Sequence, residues 1–325
     1  METQAASPGL GVSLQLKDCI QELLRFTLAS SVDGNLETDI ALSKDYCTTL
    51  LQDDPFNPFP NFTGLSEGIP LYPLYKHLAA SLYQAISSEA LPSTENKLAV
   101  MHESSSLMQM EEDWASVLRE KVSHLLNVLK AVDFELHVQE PYFSLLRNGE
   151  KTIEGRCAVG HYNKIEPGAF ILFNKCLVLQ VQDVHHYHSF REMLEAENLQ
   201  ELLPGVDTIE EGVQVYRKFY SEEKERSNGV LAICVEKPVS QPSICLGSML
   251  SELSYAGVQR LLGFVCTVGT VSEALPPPAS TLISSFLLPH NPNAKGSTLT
   301  DGARALSKHV NRSSDSYWGS FSGSG

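Results

Sequence analysis

Apolar residues recur every three to four positions through the first third of this chain and every second position through its middle. Leu16, Ile20, Leu23, Leu24 and Leu28 make one stripe of an amphipathic helix over 16–31. A second helix is predicted at 43–54, where Ser43 can cap, and a third at 72–88. The clearest helix spans 114–132: Trp114, Val117, Leu118, Val122, Leu125, Leu126 and Leu129 share a face, with the acids of "EED" before its positive end. Between 43–54 and 72–88 lies "PFNPFPNF", which cannot be a helix interior. Residues 89–110 are polar and without period, and read as a loop or partly disordered linker.

At Phe134 the period changes. "FELHVQ" is a short strand, and "EPYFSLLRNG" a short helix with Pro141 in its first turn and Gly149 at its end. "KTIEGRC" (151–157) is extended. "AFILFN" (169–174) and "CLVLQVQDVHHY" (176–187) pair as a hairpin about Asn174–Lys175. Helices follow at 189–203, capped by Ser189, and at 207–227, capped by Asp207 or Thr208, before a last strand, "VLAICVEK" (230–237). Short strands interrupted by helices predict an α+β small barrel or open sheet. Three regions result: a helical part over 1–133, the β-rich part over 134–238, and an extension over 239–325. In the extension, "SYAGVQRLLGFVCTVG" is apolar and "LTDGARALSKHVN" helical. The Ser/Gly-rich tail is not expected to fold alone, and its Trp318 and Phe321 either dock on the body or belong to a disordered end.

Charge sharpens this division. Of the 24 basic and 39 acidic residues, 8 and 18 fall in 1–133, 11 and 17 in 134–238, and 5 and 4 in 239–325. A net charge of −15 argues against sequence-blind nucleic-acid binding, which draws its affinity from many Lys and Arg. Any such site is a local pocket. The acidic helical region is a candidate surface for a protein partner, and full burial of its 114–132 stripe against the barrel would remove that reading's main support. Seven dispersed cysteines without a paired spacing, and no secretory signal or membrane span, are expected of a reduced intracellular protein, in nucleus or cytoplasm. Cys157, Cys176 and Cys234 are expected in the core. "DVHHYH" (183–188) lacks the partners that would close a metal site, and no phosphate-binding loop or nucleotide fingerprint appears, so no metal or cofactor is expected.

The candidate chemistry lies in "NGEKTIEGR" (148–156). Strand alternation puts Thr152, Glu154 and Arg156 on one face, with Lys151 joining them only if the preceding turn or a bulge re-aims it. Together Lys, Glu and Arg make a polar pocket suited to an anion or a base edge. Apart, they are an ion pair on a solvated strand.

"GEKTIEGR" also fits G-x-K-x-x-E-x-R, with Gly149, Lys151, Glu154 and Arg156 at the four positions. It thereby resembles the signature of the ASCH domain (activating signal cointegrator homology), related to the PUA-like RNA-binding barrels. The flanks agree over 134–238, and the arrangement of the whole chain is similar to that of the longer plant members. The resemblance implies a PUA-like β-barrel with a helical N-terminal region and a partly ordered C-terminal extension. It also implies RNA as the partner, single-stranded or modified, in transcription coactivation or RNA processing. Arg156 and Lys151 would then take phosphate or a base acceptor, Glu154 would orient them, and Tyr142, Phe143 or Tyr162 would stack on a base. Tyr216 or Tyr220 would turn toward the cleft. Small bacterial relatives instead hydrolyse an acylated cytidine, which implies an alternative nucleoside amidohydrolase using Lys151, Glu154 and Glu197. Their nucleophilic Thr is replaced here by Glu154, leaving Thr152 as a displaced candidate.

Overall fold

The computed structural model describes residues 15–54, 71–88, 105–264, 271, 273–289 and 300–312. The "PFNPFPNF" stretch, most of the 89–110 segment, and Trp318 and Phe321 lie outside these residues.

Among the described residues four helices come first: α1 (Leu16–Asp33), α2 (Lys44–Leu51), α3 (Leu74–Ser88) and α4 (Ser105–Lys130). Helix α4 therefore begins within the segment read as linker: the apolar spacing that marks a helix does not start until Trp114, so its first turns carry no sequence signal. Ser43 caps α2 by accepting from the Tyr46 amide, and Gly34 ends α1 in the left-handed conformation. Helix α1 fully buries Leu23, Leu24 and Leu28, each worth about 1.5–3 kcal/mol when removed from water.

The β-rich part holds β1 (Phe134–Leu136), α5 (Tyr142–Asn148), β2 (Ile153–Cys157), a 3-10 turn (Gly160–Lys164), β3 (Phe170–Phe173) and β4 (Leu177–Tyr187). It continues through α6 (Phe190–Ala196), α7 (Leu199–Leu202), α8 (Ile209–Arg217), α9 (Glu222–Asn228) and β5 (Val230–Glu236). The five strands form one sheet in the order β1-β3-β4-β5-β2, with β1 parallel to β3 and every other pair antiparallel. The β3–β4 hairpin turns at Asn174 and Lys175, both at positive φ (49° and 61°), as the right-handed twist of the flanking strands favours. A register shift between Val181 and Asp183 lets β4 bend. The sheet curls into a half-barrel, and the guanidinium of Arg156 on β2 bonds the His137 carbonyl just beyond β1, across the open seam.

Each predicted helix of the insertion is divided in two. Asn198 caps α7 after a break from α6, and Ser221 caps α9 after a break from α8. A polar cap inside a helical period ends the helix, because its side chain supplies the acceptor that the preceding turn would otherwise give.

Alternation along the strands sorts their side chains between two apolar cores. Leu231, Ile233 and Val235 of β5 join a core shared with the N-terminal helices, while Val230 and Ala232 join a smaller one under α6 and α8. Helix α10 (Pro242–Leu261), kinked at Ser254, packs on α4, α1 and α3. Just before it, buried Gln241 bonds both the amide (3.1 Å) and the carbonyl (2.8 Å) of Val178, acting as a short extra strand partner for β4. Helices α11 (Ala279–Leu287) and α12 (Asp301–Arg312) pack on each other. Of the α4 stripe, Leu118, Val122, Leu125 and Leu129 are buried where α4 meets α10 and α3, while Trp114, Val117 and Leu126 are half-buried. None of the described helices is long and apolar enough to cross a membrane.

Candidate nucleic-acid site

The signature residues meet because α5 ends sharply. Gly149 takes φ 76°, a conformation costly for residues with a Cβ, and the Leu145 carbonyl accepts the amides of both Glu150 and Lys151. Strand β2 begins only at Ile153, so Lys151 is free of the strand's alternation and its side chain folds back toward Glu154.

Lys151 is 2% exposed. Its ammonium donates to the Ile153 carbonyl (2.5 Å) and to the Leu202 carbonyl, and lies 3.3 Å from Glu154 Oε2. Three donors thus meet three acceptors of the protein itself. Burial pulls the amine's pKa down, opposed by the charge of Glu154. Glu154, 6% exposed, accepts from Arg156 Nε at 2.8 Å through its other oxygen. Burial acts to lower the pKa of Arg156, but the Glu154 charge and the Tyr220 hydroxyl outweigh it, and the net shift is upward. With Nε on Glu154, one terminal nitrogen on His137 and a further bond to the Tyr220 hydroxyl, the guanidinium keeps part of its outer N–H groups for a ligand.

These side chains floor a cavity of about 290 Å³ on the half-barrel seam. Tyr142, Tyr216, Phe219 and Tyr220 wall it, and His137 and Gln139 reach it from beyond β1. Phe219 is 47% exposed. It and Tyr220 come from the break between α8 and α9, so the division of the predicted helix is what delivers them to the cavity. The sequence signal was the Ser221 cap inside "YRKFYSEE"; for His137 there was none, since only the curl of the sheet brings it near.

Other expected site residues sit elsewhere. Gly149 shapes the turn without lining the cavity. Phe143 is a core residue against Phe26 (ring centroids 5.9 Å apart). Tyr162, on the 3-10 turn, packs beside His161 (4.6 Å) and does not line the cavity. Glu197 ends α6 and accepts from His185 Nδ1 (2.5 Å) and the Tyr187 hydroxyl (2.6 Å), pointing it at β4 rather than at Lys151. Thr152 donates to Glu201 Oε2 at 3.0 Å. Among the described residues no Ser, Thr or Cys lines the cavity. Among the described residues no group of three or more His, Cys, Asp or Glu side chains could hold a metal ion.

A curled half-barrel with this signature at its seam defines a PUA-like domain of the ASCH type. The chain belongs to the ASCH-domain family: residues 136–239 match the family model described as the ASCH domain, a family linked to RNA binding. Among solved structures, the chain is similar to hypothetical protein PH0355 at 45% identity, covering 32% of this chain and 98% of that one, with a TM-score of 0.32. It is also similar to protein PF0455 from Pyrococcus furiosus at 46% identity, covering 33% of this chain and 97% of that one, with a TM-score of 0.30. No curated protein matches the chain.

Proposed function

We propose that the seam cavity binds one unpaired base of a single-stranded RNA. The observation that carries this reading is the pairing of aromatic walls with one guanidinium whose outer N–H groups are only partly spent. A cavity near 290 Å³ lies at the small end of ligand sites and suits a base or nucleoside. A paired base cannot enter it without leaving its stack. Tyr142 and Phe219 offer faces for stacking, and Arg156 offers donors for a base acceptor or a neighbouring phosphate. Lys151 serves by holding Glu154 and Leu202 in place, and Glu154 by aiming Arg156. In transcription coactivation or RNA processing, the roles that the resemblance implies, residues 134–238 would supply the grip on an RNA loop or end.

The test is fluorescence anisotropy with labelled single-stranded hexaribonucleotides and duplexes of the same sequences at fixed salt. Wild type is expected to bind the single strands and not the duplexes, and Phe219→Ala to weaken binding by about 5- to 150-fold, the effect of one lost base–aromatic stack. Equal affinity for duplexes, or wild-type affinity in Phe219→Ala, would overturn the reading.

A further inference from the structure

We infer that the Tyr216 hydroxyl is a specificity-determining donor of this cavity, meeting an acceptor atom of the bound base, a ring nitrogen or a carbonyl oxygen. The inference rests on the reading of the cavity as a base site, and goes beyond it by assigning which protein atom discriminates between bases.

Three observations converge on this hydroxyl. Tyr216 is 5% exposed, its ring stacked on Phe190 with centroids 4.2 Å apart and planes 8° from parallel. Yet its buried oxygen has no hydrogen-bond partner among the described residues, although the side chain lines the cavity. Buried polar groups are nearly always paired, and leaving one unpaired costs about 1–3 kcal/mol. The chain also makes room for it. Gly155 lies in the middle of β2, where glycine weakens a strand, and a Cβ there would collide with the Tyr216 oxygen and sit 2.8 Å from Met193 Cε. The missing side chain is what lets the phenol reach the strand beside Glu154 and Arg156.

The direction of the hydrogen bond follows from the surroundings. Burial first, and the Glu154 charge second, push the phenol's pKa well above its ordinary value, so it keeps its proton. The donors of Lys151 are spent inside the protein, so the remaining N–H groups of Arg156, the phenols, and His137 and Gln139 are what the lining offers a ligand. A buried hydroxyl that must be satisfied rejects a ligand with no acceptor in reach, and such a site discriminates more sharply than shape alone.

The experiment is Tyr216→Phe in the full chain, which keeps the ring and its stacking and removes only the hydroxyl. Its probes are four labelled hexaribonucleotides: all-uridine, all-cytidine, all-adenosine and alternating guanosine–uridine. Without RNA, the variant is expected to melt at the wild-type temperature or about 2–4 °C above it, since it loses an unpaired buried group. With RNA, affinity for the best-bound hexamer falls about tenfold while the weakest changes little, so the preference among the four flattens. Gly155→Ala, which displaces the hydroxyl without removing it, flattens the preference in the same way. If Tyr216→Phe binds all four hexamers with wild-type affinities, or Gly155→Ala keeps the full preference, the inference is overturned and the base-site reading stands. If wild type binds none of the four, both fall together.

Discussion

Replacing Lys151 by Met separates the two roles open to a signature lysine. A lysine that grips phosphate stands in solvent, and its loss costs binding and little stability. Here the ammonium is 2% exposed with three protein acceptors around it. Met fills much of the same space, so packing survives while the charge and donors go. The change takes one donor each from two carbonyls and one of the two cations from Glu154. Breaking a buried pair costs 3–5 kcal/mol in general; Arg156 still neutralises Glu154, so a loss of about 3 kcal/mol is expected. In a chain of this size that corresponds to a fall of about 6–12 °C in Tm, read by far-UV circular dichroism. A Tm within about 2 °C of wild type in the single variant, at the ±0.5 kcal/mol level of surface changes, would refute the structural role.

The remaining expectations probe charge, backbone and pH. With one guanidinium facing the ligand, the plot of log affinity for RNA against log salt should be shallow, with a slope of about −0.7 to −1.4 for one or two phosphates; a slope several times steeper would locate binding on an extended basic surface instead. Gly149→Ala should lose about 1–2 kcal/mol in urea melts, from the strain of a positive φ alone, since nothing stands within 4 Å of the added Cβ; an unchanged melt contradicts it. The bond to Glu197 is the main cause of a raised pKa at His185, with Asp183 adding to it. The stabilisation from His185 should therefore be complete below pH of about 6.5, the unfolded value, and fade as pH rises through the folded one. His185 is 42% exposed, so the effect is small. A stability gap between wild type and His185→Gln that widened with rising pH would have the wrong sign.

Several parts of this protein are written locally. The 3.6-residue stripe of α1, the caps at Ser43, Ser189 and Thr208, the glycine ending α5 and the turn at Asn174–Lys175 each depend on neighbours within a few residues. So does the facing of Glu154 and Arg156, which follows from strand alternation. Local pattern is weaker where two signals compete. The apolar period runs across 207–227, but the Ser221 cap divides it, and only that break delivers Phe219 and Tyr220 to the cavity.

The site as a whole was beyond the reach of any local pattern. His137 and Arg156 are 19 positions apart, and Lys151 and Leu202 are 51 apart. They meet because the sheet curls and α7 crosses the start of β2. Glu197 is the instructive failure: its place in the insertion suggested a partner for Lys151, but Asn198 breaks the helix and turns the carboxylate to His185 and Tyr187. Which residues carry charge, bend the chain or cap a helix is determined by covalent structure and near neighbours, and the sequence alone decides it. Which of them share a cavity depends on how distant apolar surfaces pack, and on which donors that packing leaves unspent. Only the tertiary structure decides that.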